Sequence, residues 1–202
     1  MKNGALCLSL CICSVFAHAE GVSRSMDADV TCGNSPRGVQ YTGEPPVINI
    51  NYSPGGDVGK PGLFYIGVLT PQGNKGAFFT GNSWIAPGGG LFPFYSRHDG
   101  GFPSSLRVKV PFPGAGLTTG AYVGYEIYAG HGVLTAAGRA QVNEHNELYR
   151  QAQQPRTDGG LHHIQTLVQG DLMTKSKYNS MGVIPFIDCT LKPLVEQWGG
   201  AG

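Results

Sequence analysis

The groups in this chain that could move a proton or hold a metal ion are few and dispersed. His98, His131, His145, His162 and His163 offer imidazoles, which titrate near neutrality and ligate transition metals. His162 and His163 are adjacent. On a strand they would face opposite sides, and on a helix they would diverge by about 100°, so they cannot both ligate one ion. A metal centre would need His98, His131 or His145 to converge with one of them, and no metal or cofactor is expected. Asp57, Asp99, Glu126, Asp158 and Asp171 are the carboxylates from which a hydrolytic pair could be drawn, but glycoside hydrolysis requires two at a set separation in space. Alternation with Val123, Tyr125 and Ile127 turns Glu126 to solvent. His98-Asp99, inside the glycine-bounded run SRHDGG, is the best single pair for polar binding or acid–base work. The chain contains no G-x-S-x-G, H-E-x-x-H, C-x-x-C or P-loop pattern, so no catalytic set is expected.

Aromatic residues carry a stronger hint. Trp84, Phe92, Phe94, Tyr95 and Phe102 gather in one long loop region. Exposed, such rings stack on sugars or anchor a protein partner; buried, they form a satellite core beneath the loop. With the neighbouring pair, the candidate binding residues are Trp84, Phe94, Tyr95, His98 and Asp99.

The elements that must position these groups read mainly as strands. Val47 to Tyr52 alternates, with Ile48, Ile50 and Tyr52 on one face. Leu63 to Leu69 is a continuous apolar run, as expected of a central strand covered on both sides. Pro71 to Asn74 supplies a turn into Gly76 to Thr80, making a hairpin. Gly81 to Ser105 is the longest irregular stretch. Leu106 to Phe112 alternates, with Arg107 and Lys109 outward, and Ala121 to Ala129 alternates again. Thr135 is placed to cap a helix running to about Gln154, where Pro155 stops it. Leu161 to Val168 fits strand or helix. Tyr178 to Asp188 reads as the last strand, and Pro185 within it favours an edge or a bulge.

The two ends set the compartment and the covalent frame. Lys2, the apolar run Ala5 to Phe16 and the small residues of Ala17-His18-Ala19 form a secretory signal peptide over residues 1–19, too short in its apolar part to span a bilayer. Its removal takes 19 of 202 residues and leaves 183, which suits a single core. Two of the five cysteines then remain, Cys32 and Cys189. In an oxidising compartment this pair predicts a disulfide joining the two ends of one domain. Without Lys2 the 14 Lys and Arg become 13, matching the 13 Asp and Glu. A neutral chain with no basic cluster argues against nucleic acid as a partner. The 32 Gly and 14 Pro fit long turn-rich connections.

Three segments, Leu63 to Gly73, Ala77 to Trp84 and Gly120 to Gly132, together resemble the immunoglobulin-like β-sandwich modules of bacterial exported and surface proteins. That resemblance implies surface display, adhesion or assembly, with no catalytic set to transfer. The expectation is a mainly β, antiparallel immunoglobulin-like sandwich over residues 20–192, with one surface α-helix at about 135–154 and long Gly/Pro-rich loops. Residues 193–202 are expected to form a flexible tail. The expected role is that of a non-enzymatic binding or structural protein, periplasmic or extracellular, of the adhesion or pilus-assembly type. Its partner would be an envelope or surface protein or a second copy of itself, with no transmembrane segment in the mature chain. A carbohydrate-binding or carbohydrate-active protein using the aromatic loop 81–105 is the alternative.

Overall fold

Strand β3, Gly62–Leu69, explains the architecture because its two faces are buried for different reasons. Phe64, Ile66 and Val68 enter the main core, whereas Leu63 and Tyr65 pack with Val168 and Leu172 of a helix on the other side. A strand covered by a sheet on one face and a helix on the other needs no polar alternation, which accounts for its unbroken apolar run. The computed structural model describes residues 26–33, 43–72, 75–86, 90–152 and 159–190. The signal peptide 1–19 and the tail 193–202 lie outside the described residues.

The molecule is mainly β, with two antiparallel sheets and two α-helices among the described residues. The first sheet has the order β1-β2-β7, formed by Asp27–Cys32, Pro46–Tyr52 and Leu106–Pro111. The second follows the order β5-β4-β3-β8-β9, with β6 also paired to β3. Its other members are β4 (Gly76–Phe79), β5 (Trp84–Ile85), β6 (Ser96–His98), β8 (Glu126–Val133) and β9 (Tyr178–Val183). One apolar core unites them. Ile48, Ile50 and Val110 come from the first sheet, and Phe64, Ile66, Ile127 and Ala129 from the second. The alternation expected in β2 and β7 is present: Ile48, Ile50, Tyr52 and Val110 are buried while Arg107 and Lys109 are exposed. The hairpin expected after β3 is present as the β3–β4 antiparallel pair.

The disulfide forms. Cys32 and Cys189 are joined across a separation of 157 residues, and both are fully buried. Closing a loop of that size restricts the unfolded chain by roughly 5 kcal/mol on the chain-entropy model.

Three expectations about the second half need correction. The strand expected at Ala121 to Ala129 begins later, at Glu126, and runs on to Val133. Gly124 has φ 83°, a left-handed conformation that ends an extended run, and Gly120–Tyr122 before it is a 3-10 turn. The fold also has two helices where one was expected. The first, α1, spans Ala136–Gln151, with Thr135 as its N-cap accepting the Gly138 N–H at 3.0 Å, close to the range expected. The second, α2, spans Gly159–Thr174. Leu161, Ile164, Val168 and Leu172 recur at helical spacing, and the last three face β3. Gly132 lets α2 come close, since a Cβ there would stand 2.0 Å from the carbonyl oxygen of Val168.

The last strand ends at Val183 rather than continuing to Asp188. Pro185 lies just beyond it, and β9 is an edge strand, bonded to β8 alone among the described strands.

Candidate functional site

Where β2 ends, a 3-10 turn at Gly55–Asp57 carries a carboxylate toward the buried flank of β8. His131 lies on the core face of β8 with Ile127, Ala129 and Val133. It is only 4% exposed, so its ring nitrogens need protein partners. Nε2 lies 2.9 Å from Asp57 Oδ2 and Nδ1 lies 2.6 Å from the Tyr52 hydroxyl. A carboxylate only accepts, so Nε2 carries the proton, and Nδ1 accepts from the tyrosine. Phe102 and Tyr52 set their ring edges against the imidazole at 5.0 and 5.6 Å.

A second carboxylate joins this group through Lys177. The ammonium stands 2.6 Å from Asp57 Oδ2 and 2.6 Å from Asp171 Oδ2. Lys60 takes the other oxygen of Asp57 at 2.8 Å, and Lys175 the other oxygen of Asp171 at 2.6 Å. The backbone N–H of Val133 also donates to Asp171, at 2.9 Å. The cluster ties the end of β2, the 55–57 turn, β8, the end of α2 and the approach to β9.

Its electrostatics follow from burial and pairing. Burial works to raise the Asp57 carboxyl, but hydrogen bonds from Lys177, Lys60 and His131 outweigh it and hold the group well below the usual carboxylate range. Asp171 is likewise held low, burial being outweighed by Lys175, Lys177 and the Val133 N–H. Burial lowers His131 against the opposing pull of Asp57, which keeps the imidazole neutral. Both ring nitrogens are engaged and both carboxylates are paired with ammonium groups. Such an arrangement ties the elements that carry it together.

Of the five carboxylates read from the sequence, Asp57 and Asp171 are the two the fold brings together. Asp158 lies outside the described residues. Asp99 is 72% exposed and paired to Arg97, while His98 turns the other way, onto the Phe102 ring at 4.7 Å and the Ser96 hydroxyl at 2.9 Å. Burial lowers His98. Adjacent in sequence, His98 and Asp99 do not form a working pair. His162 and His163 fall on α2, where His163 stacks on His145 of α1 at 4.7 Å. Among the described residues no three His, Cys, Asp or Glu gather as a metal site.

The loop aromatics pack inward. Trp84 and Tyr95 both lean on Phe79, at 5.3 and 5.9 Å, and the indole N–H of Trp84 donates to the Pro111 carbonyl at 2.8 Å. Phe102 is buried in the main core, and Phe92 and Phe94 pack beside Leu63 and Tyr65 under α2. The expected single satellite core under the loop does not form: Phe102, Trp84 and Tyr95 join the main core, Phe92 and Phe94 the second cluster, and Trp84 and Tyr95 do not stand free side by side.

Three of the exposed large apolar side chains lie close together in the chain's hydrogen-bonding pattern, on and just beyond the edge strand β9. Phe186 is 63% exposed and Val183 59%, while Met181, Ile184, Ile187 and Cys189 from the same segment point inward. Val123 lies alongside, because the N–H of Gly124 bonds the carbonyl of Ile184 at 3.0 Å. Sequence reading missed this strip because it took Tyr178 to Asp188 as one strand without asking which side chains face out. The i, i+3 spacing of Val183 and Phe186 around Pro185 carries the signal. Among the described residues no helix is long and apolar enough to cross a membrane. Searches against protein-family models, curated proteins and solved structures found no match to this chain.

Proposed function

We propose that this is a non-enzymatic binding or structural protein, exported to the bacterial envelope or cell surface, that serves adhesion or surface assembly. In this reading the two sheets form an immunoglobulin-like sandwich, and the partner is another envelope or surface protein. The observation that carries it is the exposure of Val183 at the end of edge strand β9, of Phe186 just beyond it and of Val123 in the segment bonded to it. Exposed apolar side chains beside a sheet edge are a liability unless something covers them, and an exposed phenylalanine is a suitable anchor for a partner's pocket. Pro185 withholds a backbone donor from the edge, so side chains rather than an added strand would supply most of the contact. The buried disulfide, which belongs to oxidising compartments, supports export. The saturated Asp57–His131–Lys177–Asp171 cluster supports a structural use of the groups that might otherwise have suggested catalysis.

The test is affinity capture from envelope extracts with the wild-type chain, Phe186→Asp and Leu148→Asp. Leu148 is similarly exposed, at 59%, but lies on α1. A partner held by wild type and Leu148→Asp and lost by Phe186→Asp is the expected outcome. Equal capture by all three would remove the strip from consideration.

A further inference from the structure

We propose that a pocket beneath the end of α2 binds a neutral, flat aromatic small molecule. The pocket has a volume of about 360 Å³ and lies between α2, the β3–β4 hairpin and the start of β9, at the lower end of the range for small-molecule sites. It is independent of the sheet-edge strip.

Its walls define the ligand. Phe78 and Phe92 stack at 4.8 Å with an interplanar angle of 16°, and Phe78 and Tyr178 lie 6.0 Å apart at 20°. Near-parallel ring plates favour a planar aromatic guest, which can stack on them in the same way. Leu69 and Leu172 supply aliphatic wall, and among the described residues no charged side chain lines the cavity. An ionised ligand would therefore lose its hydration without recompense.

The rest of the lining is accounted for by the fold. Among the described residues the buried hydroxyls of Tyr178 and Tyr65 have no hydrogen-bond partner, but that of Tyr178 is turned from the cavity onto the backbone of Gly67, where an added Cβ would meet it. Ser176, also in the lining, has φ 49° because it closes α2 in a Schellman turn, its N–H donating to the Met173 carbonyl at 3.2 Å and the Lys177 N–H to the Leu172 carbonyl at 2.9 Å.

The mouth is built to admit and adjust. Met173, 55% exposed, brings a flexible and polarisable side chain to the opening. The wall carrying Phe92 is fastened to α2 by Gln169, whose side chain accepts the Phe92 N–H at 2.6 Å and donates to the Gly90 carbonyl at 2.9 Å. Gln169 is a positioning residue for that wall.

The experiment is a fluorescence titration of the folded, oxidised chain with N-phenyl-1-naphthylamine, a neutral diarylamine, alongside its anionic relative anilinonaphthalene sulfonate. The expected result is saturable one-to-one binding of the neutral probe, weakened about tenfold or more by Met173→Trp and unchanged by Leu148→Trp. Nuclear magnetic resonance shifts on binding should centre on Phe78, Phe92 and Tyr178. Absence of saturable binding, equal binding by the two tryptophan variants, or shifts centred elsewhere would overturn the site. Tighter binding of the sulfonate would overturn the neutral class of ligand.

Discussion

The ammonium of Lys177 lies 2.6 Å from Asp57 Oδ2, joining the residue just before β9 to a turn that follows β2. The same ammonium holds Asp171 at 2.6 Å, so one cation compensates two carboxylates that would otherwise repel each other at the end of the core. Lys177→Met should therefore destabilise the protein by about 1–3 kcal/mol, since each carboxylate keeps a second ammonium, Lys60 or Lys175, but loses its more buried charged partner. Urea denaturation of the oxidised chain measures this. A loss below about 1 kcal/mol would mean that the pair is as weak as an exposed one.

The same cluster predicts how stability responds to acid. His131 titrates below its ordinary value of 6.5 in the folded protein, so between that value and its folded pKa the unfolded chain binds the additional proton. Stability must then fall as pH drops from neutrality through the range just below 6.5. A second loss follows below about pH 4, because Asp57 and Asp171, depressed from 3.8, favour the folded state only while ionised. Thermal midpoints recorded from pH 8 to pH 3 should show both declines, with the first flattened in His131→Gln.

Reducing the Cys32–Cys189 bond, or replacing both residues by alanine, should cost about 2–5 kcal/mol. Guanidinium unfolding of the oxidised chain and of the double variant reports the difference directly.

Close approach of α2 to β8 is equally open to test. Gly132→Ala would place a Cβ 2.0 Å from the Val168 carbonyl oxygen. Backbone has to shift to relieve that contact, at a cost of about 1–3 kcal/mol or more. Gly170, with nothing near its absent side chain, provides the control; Gly170→Ala should be neutral or slightly stabilising.

Strands with a simple burial rule were legible in the sequence. β2 and β7 face the core on one side and alternate, β3 is covered on both sides and does not, and Thr135 marked the start of α1 through a hydroxyl able to cap it. The second helix was missed for a local reason. Leu161 to Val168 is too short a window to separate the two periods, and only with Leu172 included does the spacing of four become plain. The Lys177 cluster was illegible for a topological reason. Tyr52, Asp57, His131, Asp171 and Lys177 come from five parts of the chain, and nothing local says that β3–β8 pairing and the docking of α2 will carry them to one place. Only the local pairs, Asp57–Lys60 at i, i+3 and Asp171–Lys175 at i, i+4 on a helix end, could have been read in advance.

The most direct measurement is photocrosslinking in intact bacteria with p-benzoylphenylalanine placed at Phe186, compared with the same substitution at Leu148, 59% exposed on α1. Replacing an outward side chain should leave stability within about 0.5 kcal/mol of wild type, so both chains should be equally folded and oxidised. The expected result is a discrete adduct with an envelope or surface protein from position 186 and none from position 148. A chain retained in the cytoplasm with Cys32 and Cys189 reduced, or one that crosslinks no differently from the two positions, would contradict it.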